Sequence, residues 1–161
     1  LAAAGVDSEI EEWPDLREIQ PGRLRDIPED QLPEASLATR TGQIAESTRY
    51  LGGETIRSLL DRVESALDRL LDDSAWDTVL MVLHGGVNRA ILSRALLGGR
   101  GYLGGIEQSA GCINILDIIG SSDWIVRVVN FTPQNPAHLG SRTTTMERLL
   151  EQYRPAGREA E

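Results

Sequence analysis

The sequence predicts an α/β protein, layered around a parallel or mixed sheet. Three observations predict it: a strongly amphipathic helix begins at Glu54, a short apolar run occupies residues 77–83, and the turn Gly85-Gly86 leads into a second helix over 87–97. Helix, buried strand, glycine turn, helix is the order in which an α/β layer is laid down.

Along the chain, residues 1–6 (Leu-Ala-Ala-Ala-Gly-Val) read as the end of a helix with Gly5 as its stop, and there is no initiator Met. A natural protein that continues upstream is the expectation. Pro14, Pro21, Pro28 and Pro33 keep long helices out of residues 6–34. An extended piece is expected over 13–18. Residues 26–32 suit one or two helical turns, with Asp26 as N-cap and Pro28 in the first turn. Residues 35–50 read as a loop or a weak helix, closed by Gly52-Gly53.

From Glu54 onward, Ile56, Leu59, Leu60, Val63, Leu67, Leu70 and Leu71 recur on one helical face. Arg57, Asp61, Glu64, Asp68 and Asp72 occupy the other. Glu54 suits the first turn, where a carboxylate meets the positive end of the helix dipole. Residues 77–83 are apolar without alternation, which predicts a strand buried on both faces. The helix over 87–97 presents Val87, Ile91 and Ala95 beside Leu92 and Leu96, and Gly98-Gly99 stops it. Residues 98–111 hold six glycines and form a loop. Residues 112–119 and 124–131 are rich in β-formers and flank Gly-Ser-Ser-Asp, a hairpin pattern. A loop over 130–139 and a final helix over 143–153, capped by Thr143 or Thr144, complete the expected single domain. Pro155 ends that helix and an acidic tail follows it.

Composition narrows function. Of 161 residues, 40% are hydrophobic and only 4% aromatic, so the core is aliphatic. A net charge of −9 argues against nucleic-acid or acidic-membrane binding through bulk charge, though it leaves room for a local basic pocket. All 16 basic residues are Arg, which excludes a Schiff-base or P-loop lysine. The single Cys112 excludes an intramolecular disulfide, and with His84 and His138 it argues against a structural zinc site. No apolar run approaches the ~20 residues of a membrane-spanning helix. A cytoplasmic, reducing setting is the default expectation.

His84 is the sharpest candidate for chemistry. It ends the apolar run, and ligands of open α/β sheets bind at the carboxyl ends of strands. The glycines after it allow close approach to the backbone, and the following helix offers free N–H groups to an anion. An imidazolium there binds phosphate or donates a hydrogen bond; the alternative is a strand-end His bonded to a carbonyl. Glu18 lies between the apolar anchors Leu16 and Ile19 and is either a site carboxylate or a solvated surface residue. Glu54 is explained as a helix-start charge, Arg62 as a surface salt-bridge residue, and Cys112 as a small core residue. His138, in a loop, reads as structural. Arg142 and Arg148 face either solvent or a pocket.

Leu16-x-Glu18-Ile19-x-x-Gly22, then Gly53-Glu54-Thr55 opening a helix with Arg62-Val63, then Val82-Leu83-His84-Gly85-Gly86-Val87-x-Arg89, resembles the histidine phosphatase superfamily in order and spacing. That superfamily includes the cofactor-dependent phosphoglycerate mutases and many small-molecule phosphatases. The resemblance covers about residues 10–131, and the stretch around Cys112 resembles the later strand of that fold. It implies a three-layer α/β/α sandwich, phosphoglycerate mutase-like. It implies phosphoryl transfer through a phosphohistidine, with arginines clamping the phosphoryl oxygens, a second histidine adding positive charge, and an acid protonating the leaving oxygen. By motif, His84 is the second histidine, Glu18 the proton donor, and the Gly85 amide a phosphoryl ligand. No metal or cofactor is implied.

The sequence departs from the family pattern in one respect. The nucleophile of the family belongs to an Arg-His-Gly motif on the first strand, and no Arg-His-Gly occurs here. The second clamp arginine, in a Ser-x-x-x-Arg-Ala segment, is also lacking. The expectation is the carboxyl-terminal two-thirds of such a protein, without its first strands and helix and inactive alone. Glu18 is followed by Ile19-Gln20-Pro21-Gly22, unlike the Arg-His-Tyr-Gly of the mutases, which favours phosphatase over mutase. A non-catalytic scaffold binding phosphorylated ligands is the other alternative. The expected partner is a small phosphorylated substrate, read by residues 23–51 and 98–111. Nucleic acid and membrane are not expected. A homodimer through the edge of the 112–131 hairpin is a further expectation. The all-Arg composition fits a high-GC bacterial genome.

Overall fold

A computed structural model of the chain describes residues 10–119 and 123–133. The helical reading of residues 1–6 and 143–153, and the side chains of His138, Arg142 and Arg148, lie outside them.

Among the described residues, three α-helices and one hairpin follow in order: α1 (Leu32–Leu37), α2 (Ile56–Asp72), α3 (Gly85–Leu97), β1 (Ile113–Ile119) and β2 (Asp123–Phe131). Helix α2 begins where its sequence pattern does. Thr55 is the N-cap, and its hydroxyl oxygen accepts from the Ser58 amide at 3.1 Å. Its apolar stripe, Ile56, Leu59, Leu60, Val63, Ala66 and Leu67, is buried. Helix α3 packs against α2 and β2, burying Val87, Ala90, Ile91 and Leu92, and Gly98 stops it at φ 66°.

Ser93 on α3 is fully buried yet satisfied: its hydroxyl donates to the Arg89 carbonyl and accepts from the Leu103 amide at 2.7 Å. That contact anchors the glycine-rich loop, which also bridges to Gln43 through Leu103. Strands β1 and β2 pair antiparallel from Ile113 opposite Phe131 to Ile119 opposite Asp123, with irregular register between Ile113 and Leu116. Leu116 and Trp124 turn toward the helical core, and the Arg94 guanidinium lies 6.0 Å from the centre of the Trp124 ring.

Four expectations change. Residues 13–18 are not simply extended, because Pro14–Leu16 forms a 3₁₀ turn. The helical turn expected over 26–32 is found in part: the Pro28 carbonyl accepts the Gln31 and Leu32 amides at 2.9 and 3.2 Å, but Asp26 lies in a separate 3₁₀ turn, Leu24–Asp26, and α1 itself starts at Leu32 with Pro33 in its first turn. The described sheet is two-stranded and antiparallel, not parallel or mixed.

The fourth change concerns residues 77–83, which form neither helix nor strand and pair with no strand among the described residues. Met81 and Leu83 pack on the core, while Leu80 and Val82 are 75% and 90% exposed. Continuous apolarity is satisfied only when both faces are covered, and here the helices cover one. A ladder partner is what turns an extended run into a strand.

This geometry makes a direct prediction for the 161-residue chain. Val82→Asp shifts unfolding free energy by no more than about 0.5 kcal/mol, the range of exposed substitutions. Val87→Asp, which buries an unpaired charge in α3, unfolds the chain. Urea denaturation of both variants checks this. Equal losses at the two positions would mean that the Leu80–Val82 face is covered.

Candidate active site

Glu18 owes its position to its neighbours. Leu16 and Ile19 are buried anchors on either side, and Leu16 closes the 3₁₀ turn Pro14–Leu16. Glu18, half-buried, is thereby set against the start of α3. One carboxylate oxygen accepts the Gly86 amide at 3.0 Å and the Ile19 amide at 2.9 Å; the other is 3.3 Å from the Gly86 nitrogen. Gly86 is the second residue of α3, so its N–H has no acceptor within the helix. A carboxylate there meets both that donor and the positive end of the helix dipole.

The two glycines have different work. A Cβ on Gly86 would fall 2.5 Å from the Glu18 carboxylate and 2.9 Å from the Ile19 side chain, so the residue must be glycine for Glu18 to sit there. A Cβ on Gly85 would make only ordinary contacts, with the Arg89 guanidinium at 3.6 Å and with Glu18 and Gln108 at 3.9 Å. Glu18, Arg89 and Gln108 thus converge on Gly85.

His84 is the N-cap of α3 and is exposed, with no capping hydrogen bond from its side chain. Among the described residues its imidazole bonds to no carbonyl. The structure thus brings Glu18, His84 and Gly85 to one end of α3.

Four residues around this end carried no assigned role in the sequence reading. Arg89 donates from Nε to the Ile106 carbonyl at 2.7 Å, tying the glycine-rich loop to α3. Its place one helical turn after Gly85 is the signal that could have found it. Tyr102 is buried; burial pushes its phenol up to about 12, against the pull of Arg89 and with the push of Glu18. Tyr50 is raised by burial and by the Glu18 charge. Both phenols therefore stay neutral at ordinary pH. Gln108 has its Cβ 3.9 Å from the Gly85 Cβ position and forms a reciprocal amide pair with Asn114, at 3.2 and 2.7 Å. Cys112 is half-buried; burial raises its thiol, which donates to Gln108 at 3.5 Å.

Glu54 and Arg62 depart from expectation. Glu54 precedes the helix instead of standing in its first turn, and Arg62 is not a surface residue. Their side chains are 8% and 9% exposed, joined by a two-pronged ion pair at 2.9 and 3.1 Å. Burial pushes the Glu54 carboxyl up, but the bonds from Arg62 and the Gln20 amide, with the Arg62 and Arg17 charges, hold it below its ordinary range. A surface depression of about 420 Å³, lined by Asp15, Arg17, Ser58, Asp61, Arg62 and Ser65, includes neither Glu18 nor His84.

In a comparison with known protein families, the model of the histidine phosphatase superfamily (branch 1) matches residues 1–132, which include every residue of this cluster. Comparisons with curated proteins and with solved structures find no match.

Proposed function

The chain belongs to the histidine phosphatase superfamily, and from that membership we propose that the full-length protein hydrolyses phosphomonoesters through a phosphohistidine intermediate. The observation that carries this reading is the Glu18 carboxylate seated on a first-turn amide of α3, with exposed His84 beside it and Arg89 near Gly85.

In the first step a histidine ring nitrogen attacks phosphorus and the ester P–O bond breaks. The leaving oxygen takes its proton from Glu18. In the second step water attacks phosphorus, the P–N bond breaks and Glu18 accepts the water proton, so that inorganic phosphate and free histidine result. The His84 imidazolium and the Gly85 amide stabilise the charge on the transferring phosphoryl oxygens, where phosphoryl transfer needs stabilisation most. Arg89, near Gly85, adds local positive potential in a chain whose net charge is −9.

The nucleophile in this scheme is a histidine in an Arg-His-Gly setting, which these 161 residues do not contain. Hydrolysis is therefore assigned to the full-length protein, and the 161-residue chain alone is expected to be inactive. A phosphatase assay on an aryl phosphate tests the reading. The full-length protein is expected to turn over and its His84→Ala variant to lose most activity. Normal turnover by that variant would overturn the assignment. Activity that requires a bisphosphorylated primer would point to a mutase instead.

A further inference from the structure

We infer that Arg62 and Glu54 form a clamp that positions Glu18. The inference rests on the reading of Glu18 as the proton donor but goes beyond the assignments made so far. The segment around Glu18 has no ladder or long helix of its own, so its backbone polar groups must find partners elsewhere. They find one ion pair. Arg62 donates from Nη1 to the Asp15 carbonyl at 2.6 Å and to the Arg17 carbonyl at 2.7 Å. Glu54 accepts the Gln20 amide at 3.0 Å, and its own amide donates to the Gln20 carbonyl at 2.8 Å. The chain is thus gripped immediately before Glu18 and two residues after it.

Both jaws are rooted in rigid structure. Arg62 stands on α2 between the buried Leu59 and Val63, and Glu54 directly precedes the Thr55 cap. The clamp fixes the Glu18 segment to α2, and Glu18 in turn reaches α3. A buried ion pair is weak evidence for stability, since an apolar pair of the same volume is often as good. Its use here is geometric: a planar five-donor fork satisfies carbonyls and carboxylate at once. Arg100 provides the contrast. It joins Glu46, Asp61 and Glu64 at 2.7 Å each and bonds to nothing in the Glu18 segment.

The test reads the Gly86 amide. Its one acceptor among the described residues is Glu18, so its hydrogen exchange reports whether Glu18 is seated. The measurement is made by NMR on the 161-residue chain, as the ratio of Gly86 exchange to that of the Leu60 amide, which follows global opening. Glu18→Ala sets the unprotected limit. Arg62→Met and Glu54→Gln are expected to raise the ratio about tenfold or more, the effect of losing a hydrogen bond to a charged group. Arg62→Lys, which keeps the charge but not the fork, is expected to fall between. Arg100→Met is expected to leave the ratio unchanged. A wild-type ratio in both Arg62→Met and Glu54→Gln would overturn the clamp, as would an equal rise in Arg100→Met. If Arg62→Met fails to fold, the near-isosteric Glu54→Gln decides. No turnover is involved, so failure of the clamp and failure of the phosphatase reading are separate results.

Discussion

Glu18→Gln in the full-length protein is expected to lower kcat by about 10²–10⁴-fold, the usual contribution of a general acid. The substitution is nearly isosteric, and its amide oxygen still accepts the Gly86 N–H that holds the side chain against α3. What is lost is the proton. The fold should be unchanged, and KM should move little, because the group acts on the leaving oxygen as the bond breaks. The loss should be larger for an alkyl phosphate than for an aryl phosphate, whose leaving oxygen needs less help. Steady-state kinetics on such a pair checks this. An undiminished rate on the alkyl ester would remove Glu18 from proton transfer.

Gly53→Ala is expected to be the most damaging conservative change in the described structure. An alanine Cβ at this position would stand 2.3 Å from the Gly22 amide nitrogen and 2.4 Å from both the Gln20 carbonyl oxygen and the Pro21 carbonyl carbon. All three are backbone atoms, which no rotamer change can move. The cost should exceed the about 1–3 kcal/mol of ordinary overpacking. The variant should also free the Glu18 segment from α2, because the same crossing carries the Glu54–Gln20 hydrogen bonds. Gly99→Ala is the matched control: nothing lies within 4 Å of its added methyl. Urea midpoints of the two variants should differ widely. Equal midpoints would mean that the Gly22–Gly53 crossing is looser than the structure has it.

The parts of the fold written in local pattern were legible in the sequence. Helices α2 and α3 and the β1–β2 hairpin follow from periodicity and glycine punctuation, and each lies within two residues of its expected start. Helix α1 was misplaced because Pro28 and Pro33 satisfy the same first-turn rule, and local sequence does not rank them. The apolar run over 77–83 was misread because apolarity states a need for cover without saying what supplies it. Among the described residues only one face of that run has it.

In the candidate site, Glu18 and His84 were singled out through motif order, and both lie at the start of α3. The partners that hold Glu18 in place were not. Glu54 reaches across eight residues from outside the helix, so the pair breaks the i,i+4 habit that flags helical ion pairs. Arg62 lies at the edge of the apolar stripe, where long side chains are ordinarily read as solvated. Its burial comes from the Asp15–Gln20 segment lying over it, a tertiary fact with no local signature.

The most direct test of the central claim is to mix the full-length protein with a phosphomonoester, quench it, and identify the phosphorylated residue by mass spectrometry and by its acid lability. The expected result is an acid-labile phosphohistidine at a residue other than His84, which accumulates further in Glu18→Gln if dephosphorylation is slowed. Hydrolysis that proceeds with no phosphorylated histidine, or a label on His84 itself, would contradict the mechanism.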